Sequence, residues 1–539
     1  MARSSSVTFR CRFISSPIRS ISTSCSRRST SPQRWKADPA PQPPAKRFTD
    51  IPGPLALPML RHSAHVLPRI GNIHHQVGLG LLEGLRDRYG DLVRLAKGSR
   101  KRPVLYIFDP QLMREVYDSG ATKAPYWDHS PLQKQRQLKN SHCTVNGKET
   151  ENIWPSLRAV LQDGSFLTNY NKALDNIACD ATRRLGDLRH AENLLNEEVE
   201  TEVYRWALES LGMVIIGRRL GCLDGAVDVH KTDNSKLKNT SLEDMPSEQC
   251  SLARRSLEEC TPAEKLVRSS MEIAERSFLV RSEHTLKKDS EVFNAAVEAF
   301  DQHYCLVDHF LSQTLKDIDS GQDQPEMVLL KNLRPLNSIL LPLAADTLLA
   351  GVDLLSHTAL SMLYHFSLHP ARQQRVHDEI SWKTAADDAG AERPTELPYI
   401  AACAREALRL HPATGAVVRR TMEDIVVGGY DVPEGVDIVL AHGVSSRTEG
   451  QFGRAKTFVP ERYHSQGWET SPALKSHPIA SRPFGTTCPA SAMVGRMLTS
   501  FASNVLEKYR LEWHGPAPNL ANSGVNRLQP PYYFVLQNA

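Results

Sequence analysis

One cysteine near the C-terminus raises the first chemical question. The chain reads RPFGTTCPASAMVGRM from Arg482 to Met497, and Cys488 lies on a predicted loop just before a predicted helix. Its thiolate could bind a metal ion, or its thiol could be an ordinary buried side chain, which is the commoner state of an unpaired cysteine. No other cysteine follows Cys403 in the sequence. The rest of the chain has to decide between these two roles.

A charged pair stands in the segment LPYIAACAREALRLHP. Glu406 and Arg409 are three residues apart, on one face of a helix that Pro412 helps to end. Such a pair on a surface stabilises a protein little, but here its neighbours are alanines and leucines, so we expect it to be partly buried and held in place. The later segment FVPERY supplies Arg462 as a second cation for Glu406.

An acid also interrupts the most apolar part of the chain. Asp353 lies in AGVDLLSHT, in the middle of the longest helical pattern. An unpaired carboxylate in such a helix would have a raised pKa or would destabilise the helix. Asp353 is therefore a candidate for a chemical role.

The elements that must position these residues are mostly helical. Apolar residues recur at spacings of three and four in TEVYRWALESLGMVII, in EVFNAAVEAFDQHYCLVDHFLSQTL and in the long stretch around Asp353. YGDLVRL, PVLYIFDP and DIVVGGYDVPEGVDIVL predict short strands, and a last helix is predicted from about 490 to 509. Residues 223–262 are polar and aperiodic and indicate an inserted loop. The predicted fold class is mainly α with a minor β part.

The N-terminal residues 1–36 differ from the rest in composition. They contain eight of the 65 basic residues, eleven serines and no acid. The remaining 57 basic residues face 61 acidic ones, so the body of the chain is mildly acidic and nucleic-acid binding is not supported. An Arg-rich, Ser-rich leader without acids is typical of a mitochondrial transit peptide, and a disordered basic tail is the alternative.

Other classes can be set aside from the sequence. The ten cysteines show no CxxC pair and no regular spacing, which argues against a disulfide framework and a zinc ribbon. We find no stretch that approaches the length of apolar sequence of a membrane span, so any membrane contact is expected to be peripheral. Residues 37–54 are rich in proline and predict an extended linker.

The order of the motifs resembles that of the cytochrome P-450 superfamily of heme-thiolate monooxygenases. From about Ile51 onward the landmarks are WPSLR, AGVDLLSHT, EALR, Arg419, PERY and PFG with a following cysteine. YRWALESLGMVIIGRRLGCL and the leader resemble the mitochondrial branch in particular. The resemblance implies the cytochrome P-450 fold, a single large catalytic domain over 55–539, and heme b as cofactor.

The resemblance also implies roles for individual residues. Cys488 would be the proximal iron ligand, and Ala350 and Gly351 would leave room for dioxygen beside the heme. Asp353 would help to supply protons to the reaction with dioxygen. The resemblance also implies a structural network made of Glu406, Arg409 and Arg462. It implies contacts with the heme and its propionates by Trp154, Arg158, Arg419, Phe484 and Gly485.

Two motifs depart from the family pattern. The pattern Phe-x-x-Gly-x-Arg-x-Cys-x-Gly starts well at Phe484, but Cys488 comes early, and counting back from Gly495 puts Met493 at the ligand position. The residue after Asp353 is Leu354, where the family has an alcohol. Proton delivery is therefore an open question, and Ser356 and Thr358 are the nearest hydroxyls in the sequence.

The implied function has an alternative. An active mitochondrial monooxygenase would hydroxylate a lipophilic substrate, with a steroid or sterol preferred and moulting-hormone synthesis one option. Electrons would come from a mitochondrial ferredoxin and its NADPH-dependent reductase, docking near Arg405, although Ala401 at the other expected position is uncharged. Such an enzyme would be peripheral on the matrix side of the inner membrane. The alternative is a catalytically impaired member of the fold that binds lipid or is vestigial.

Overall fold

The computed structural model describes most of the chain after residue 44. The described residues are 45–54, 78–95, 102–123, 157–161, 163–195, 198–225, 260–281, 291–322, 324–388, 397–464, 476–481, 488, 490–518, 520–522 and 526–539. All of them belong to one compact unit, which runs from Ala45 to Ala539. The predicted transit peptide at 1–36 and positions 226–259 of the predicted inserted loop lie outside the described residues.

Helices make up most of the described structure, as the sequence predicts. Residues 157–161 are also helical, and the labelled helices run as follows: α1 Gly78–Tyr89, α2 Pro110–Asp118, α3 Gly164–Thr168, α4 Asn171–Asp187, α5 Val199–Ile215, α6 Pro262–Arg281, α7 Glu291–Asp319, α8 Val328–Leu333, α9 Asn337–Leu368, α10 Pro370–Asp388, α11 Pro398–Leu410, α12 His442–Ser445 and α13 Ser491–Lys508. The prediction of a mainly helical fold with a minor β part is confirmed.

Helix α9 is the centre of the helical part. It packs against α5 along much of its length and also contacts α7, α11 and α13. By length and apolar composition Ile339–Leu368 would suffice to cross a membrane, so our sequence prediction of no such stretch is wrong. In this fold 56% of its most apolar window is buried against protein, as in the core helix of a globular domain. Helix α5 is buried on nearly every side, and its buried residues include the acids Glu202 and Glu209.

Short strands form a small sheet region beside the helices. The strands are β1 Lys46–Arg47, β2 Leu92–Leu95, β3 Val104–Ile107, β4 Thr122–Lys123, β5 Val417–Thr421, β6 Ile425–Val427, β7 Tyr430–Val432, β8 Asp437–Leu440, β9 Tyr509–Trp513, β10 Leu520–Asn522, β11 Asn526–Leu528 and β12 Phe534–Asn538. One sheet has the order β2-β3-β8-β5-β4 and a second has β1-β7-β6. Strands β9 and β12 pair with each other, as do β10 and β11.

The expected linker overlaps the folded unit. Strand β1 pairs in parallel with β7, and the Arg94 backbone N–H donates to the Pro52 carbonyl at 2.8 Å. Ile51 is buried in the apolar cluster under the sheets. The residues 45–54 of the proline-rich segment therefore run along the sheets as part of the fold.

Candidate active site

Cys488 lies at the N-terminal approach to α13. The side chain is partly buried, and the helix begins at Ser491. Burial raises the pKa of the Cys488 thiol, while the Ala490 backbone N–H, which donates to the sulfur, acts in the opposite direction. A helix N-terminus and backbone N–H groups both stabilise a thiolate, so the position suits a sulfur that binds a metal cation.

The residues after Cys488 pack into the helical part of the fold. Met493 is buried in the helical core, and Arg496 points to α4. The Arg496 guanidinium donates to both carboxylate oxygens of Asp175 at 2.8 and 2.9 Å and to the Asn171 side chain. Arg496 therefore fastens α13 to α4.

Glu406, Arg409 and Arg462 meet in one buried cluster. Arg409 donates to both Glu406 carboxylate oxygens at 2.7 and 2.8 Å, and Arg462 Nε donates to Glu406 at 3.1 Å. The carboxylate also accepts the Val459 backbone N–H, and Arg409 donates to the backbone carbonyls of Ser446, Ala455 and Thr457. Every charge in the cluster is thus paired or hydrogen-bonded, which is the condition for burying it.

Arg419 is a half-buried cation on β5. It donates to the backbone carbonyl and the hydroxyl of Thr122, and its guanidinium lies 5.7 Å from the ring centroid of Tyr117. Burial lowers its pKa. No carboxylate in the described part of the chain pairs with it. An anionic group beside Arg419 would relieve this desolvated charge.

Asp353 is held in an ion pair. Both of its carboxylate oxygens lie 2.8 Å from Arg527 Nη2 on β11, and one of them lies 3.4 Å from His357 Nε2, one turn along α9. Burial alone would raise the pKa of Asp353, but His357 and the charge of Arg527 outweigh it and lower the pKa. Asp353 is therefore an ionised, anchored carboxylate.

The hydroxyls near Asp353 serve the helix itself. Ser356 Oγ donates to the Asp353 backbone carbonyl at 3.2 Å, and Thr358 Oγ1 donates to the Leu354 carbonyl at 2.7 Å. Such bonds to the preceding turn are common for these residues in helices. Neither hydroxyl takes the place of the alcohol that the family has after its acid.

Ala350 and Gly351 lie in different surroundings on α9. Ala350 is exposed although its helix is the core of the fold. Gly351 faces α5, where a Cβ atom would come within 3.0 Å of Leu211 Cδ1. The glycine thus permits close packing of α5 and α9. Its role in making room for dioxygen stays a prediction.

The remaining predicted positions divide into exposed and undescribed ones. Arg158 and Arg405 are exposed, and the Arg405 guanidinium lies 4.6 Å from the ring centroid of Tyr463. Ala401 is also exposed, on the same helix as Arg405. Trp154, Phe484 and Gly485 lie outside the described residues.

Sequence reasoning missed the partners of Asp353. Arg527 lies 174 positions away in a short strand, and nothing in its local sequence marks it as a partner. His357 carried a signal, because it follows Asp353 by four residues and so lies on the same face of the helix. The Tyr117 ring and Thr122 beside Arg419 were also not predicted.

The described residues fit the heme that the resemblance implies. Cys488 offers a sulfur beside the Ala490 backbone N–H, and Arg419 offers a half-buried cation that no described carboxylate neutralises. Iron favours a thiolate ligand, and heme propionates favour guanidinium groups. These two residues would hold the iron and a propionate, respectively.

Comparison with known proteins gives a consistent result. A family model described as Cytochrome P450 matches residues 62–536. Probable cytochrome P450 49a1 of Drosophila melanogaster is 24% identical over 92% of this chain and 84% of its own length. The human 25-hydroxyvitamin D-1 alpha hydroxylase, mitochondrial, is 28% identical over 71% of this chain and 72% of its own length. Probable cytochrome P450 301a1, mitochondrial, of Drosophila melanogaster is 24% identical over 87% of this chain and 83% of its own length.

The match to the family model covers most of the chain and includes every predicted site residue. The motif order, the mainly helical fold and the residues suited to heme agree with it. The chain therefore belongs to the cytochrome P450 family of heme-dependent monooxygenases, whose members bind heme b through a cysteine thiolate, and it resembles the mitochondrial members of that family.

Proposed function

We propose that this protein hydroxylates a lipophilic substrate of the steroid, secosteroid or sterol class in mitochondria. A relative at 28% identity is named as a vitamin D hydroxylase, which supports the substrate class. Several relatives are named as mitochondrial proteins, and the basic, acid-free leader supports import. The enzyme would work as a peripheral protein on the matrix side of the inner membrane.

The observation that carries the proposal is Cys488 beside the N-terminus of α13. The Ala490 N–H donates to its sulfur, and the helix that follows is long enough to contribute a full dipole. When bound, heme supplies the activation of dioxygen. Cys488 would hold the iron, Arg419 would hold a propionate, and the buried Glu406 cluster would keep α11 and its neighbouring loops rigid.

Electrons would come from a mitochondrial ferredoxin reduced by its NADPH-dependent reductase. Arg405 is exposed on α11, and Arg375 on α10 is 44% exposed. These cations would attract an acidic ferredoxin. Charges at the rim of such an interface chiefly change the association rate and its dependence on salt.

A second candidate function rests on Leu354. Without an alcohol after Asp353, and with Ser356 and Thr358 bonded to their own helix, the usual polar pair of the family is absent from this part of α9. A member that binds a lipid without efficient oxidation would have this arrangement. The two candidates differ in whether the reduced protein forms a thiolate-type complex and a product.

The test is the absorbance spectrum of the full-length protein, reduced and exposed to carbon monoxide. We expect a red-shifted, thiolate-type band that Cys488→Ala abolishes. Cys260→Ala is the matched control because Cys260 is also a partly buried cysteine. Met493→Ala should keep the band, because the thioether of methionine cannot give a thiolate-type complex.

A second pair of variants tests the propionate contact. Arg419→Ala should lower the heme content per protein, while Arg420→Ala on the same strand, which loses only its bond to Asp437, should not. Reconstitution with ferredoxin, reductase and NADPH should then give a hydroxylated product from a secosteroid or a sterol. A protein without any heme band would contradict the proposed monooxygenase, and a heme band without product from either class would favour the lipid-binding candidate.

A further inference from the structure

A buried polar cluster joins α9 to α5 and to the C-terminal strands. At its centre is His357, of whose side chain 2% is exposed. His357 Nε2 lies 3.4 Å from an Asp353 carboxylate oxygen and 3.9 Å from a Glu200 carboxylate oxygen. Among the described residues, the other ring nitrogen, Nδ1, has no hydrogen-bond partner. One imidazole nitrogen therefore faces two carboxylates.

The two carboxylates differ in their access to water. The Glu200 side chain is 27% exposed at the start of α5, and the Asp353 side chain is 11% exposed. The Tyr532 hydroxyl donates to the second Glu200 oxygen at 3.0 Å and so fixes that carboxylate. The cluster thus runs from a solvent-accessible acid through a buried imidazole to the buried acid on α9.

Other charged groups lie near this cluster on the elements packed against it. Arg527 on β11 pairs with Asp353 and also donates to the Ala274 carbonyl on α6. Tyr204 on α5 is within the electrostatic reach of Asp353, Glu200 and Arg527, and also of Glu275 on α6. Two carboxylates, those of Asp353 and Glu200, therefore face His357 Nε2, and Arg527 holds one of them in place.

This cluster bears on how protons reach Asp353, since Leu354 stands where the family has an alcohol. In the family, an alcohol beside the acid helps to pass protons inward, and here Leu354 has no proton to pass. An imidazole is the commonest side chain for proton transfer near neutral pH. His357 lies one helical turn after Asp353 on α9, with its Nε2 3.4 Å from an Asp353 carboxylate oxygen.

We propose that Glu200 and His357 form the proton path that serves Asp353, in place of an alcohol at position 354. This inference rests on the proposed monooxygenase function. Glu200 takes a proton from solvent and transfers it to His357 Nε2. His357 then passes the proton from Nε2 to the Asp353 carboxylate oxygen, and Glu200 is reprotonated from solvent.

The path conserves atoms and charge. One proton enters at Glu200 and one arrives at Asp353, while Nδ1 keeps its own hydrogen throughout. The low pKa of Asp353 makes its protonated form a strong acid that gives the proton up readily. Arg527 acts as a positioning residue, because it holds Asp353 beside His357.

The first test compares electron coupling in three full-length holoenzymes. His357→Gln and Glu200→Gln keep the size and polarity of the side chains, and in Glu200→Gln the new amide carbonyl can still accept from Tyr532. We expect the product formed per NADPH oxidised to fall about tenfold or more in both variants, with hydrogen peroxide released instead. We expect coupling in the wild type to fall as the pH rises, and we expect no such fall in His357→Gln.

The matched control is His365→Gln. His365 lies on the same helix, is buried like His357 and has no contact with Asp353 among the described residues. Coupling in this control should equal that of the wild type. Equal coupling in wild type, His357→Gln and Glu200→Gln would overturn the proposal.

The second test does not depend on turnover. The rate of hydrogen exchange at the imidazole Cε1 of His357, followed by mass spectrometry over a range of pH, reports its protonation midpoint. Both Glu200→Gln and Asp353→Asn remove a negative charge beside the ring, so the midpoint should move to lower pH by about half a unit or more. An unchanged midpoint in both variants would show that the three groups are not coupled.

The two tests separate the possible failures. If the wild type forms no thiolate-type band and no product, the proposed function fails, while the exchange midpoints still report on the cluster. If the wild type is active and the midpoints shift but coupling does not respond to the substitutions, the cluster is structural and the proton path is refuted.

Discussion

Single residues in this protein show how burial of charge depends on complete pairing. Glu406 and Arg409 are both fully buried, and the carboxylate of Glu406 is shared by two guanidinium groups. The sequence could predict this cluster, because Glu406 and Arg409 are close together on one helix face and Arg462 lies in a recognisable motif. It could not predict the Arg527–Asp353 pair, which joins distant segments through tertiary packing alone.

Replacing Glu406 tests the buried cluster. Glu406→Gln should lower the free energy of unfolding by about 3–5 kcal/mol, because two buried guanidinium groups lose their counter-charge. The midpoint of urea denaturation, followed by circular dichroism, measures the change. If the variant does not accumulate as folded protein, Glu406→Asp, which keeps the charge, should restore part of the yield.

The control for this prediction is an exposed ion pair. Arg183 and Asp180 lie three residues apart, with the Arg183 side chain 65% exposed. Arg183→Ala should change the free energy of unfolding by less than about 1 kcal/mol. Similar effects of Arg183→Ala and Glu406→Gln would contradict the importance of pairing in the buried cluster.

Among the secondary-structure elements, the long helices were predicted well from the spacing of their apolar residues. The contacts of residues 45–54 with the sheets were not predicted. The pattern of apolar residues at spacings of three and four gave α5, α7 and α9 because each of these helices buries a long apolar surface. The extended linker at 37–54 was predicted from its prolines alone. The association of residues 45–54 with the sheets depends on main-chain hydrogen bonds to β7 and Arg94, which side-chain patterns do not report.

Gly53 lies where residues 45–54 pack closely against the backbone of β2. A Cβ atom at Gly53 would overlap the backbone carbonyl of Arg94, and backbone atoms cannot move aside cheaply. Gly53→Ala should therefore displace this segment from β2 and make it more sensitive to limited proteolysis, followed by mass spectrometry of the cleavage sites. The expected cost is about 1–3 kcal/mol of stability.

Gly80→Ala is the control for Gly53→Ala. Gly80 lies within α1, and a Cβ atom there would meet nothing within 4 Å. Alanine has the higher helix propensity, so this variant should be as stable as the wild type or more stable by up to about 1 kcal/mol. Equal protease sensitivity of the two variants would argue against the packing of residues 45–54 on β2.

For the whole molecule, buried neutral histidines set the response to acid. Burial lowers the pKa of His303 to about 4 and that of His411 to about 3. In the unfolded chain these groups have pKa values near 6.5. The unfolded state therefore binds protons first as the pH falls, and the stabilisation present above pH ~6.5 is lost progressively toward the folded pKa values.

The free energy of unfolding should therefore decrease as the pH is lowered from about 7 to about 5. Each buried histidine contributes a slope that approaches about 1.4 kcal/mol per pH unit below its unfolded pKa. Urea denaturation at a series of pH values measures this slope. His411→Asn should reduce the slope, and the exposed His309→Gln should leave it unchanged. A stability that is constant between pH 7 and 5 would refute the prediction.

The overall fold could be assigned from the sequence because its landmarks keep their order along the chain. The site could be assigned only in part, because it is assembled from segments far apart in sequence. Cys488 and Arg419 were found through their motifs. Only the structure shows what surrounds these two residues. The Ala490 N–H lies beside Cys488, and no described carboxylate pairs with Arg419.

The C-terminal strands have a consequence for how the protein is made. Arg527 pairs with Asp353, the Leu195 N–H donates to the Phe534 carbonyl, and the Tyr532 hydroxyl donates to Glu200. Residues 526–539 thus complete contacts of α5 and α9, which are synthesised long before them. The native contacts of Asp353 and Glu200 with this segment can therefore form only after residues 526–539 have left the ribosome.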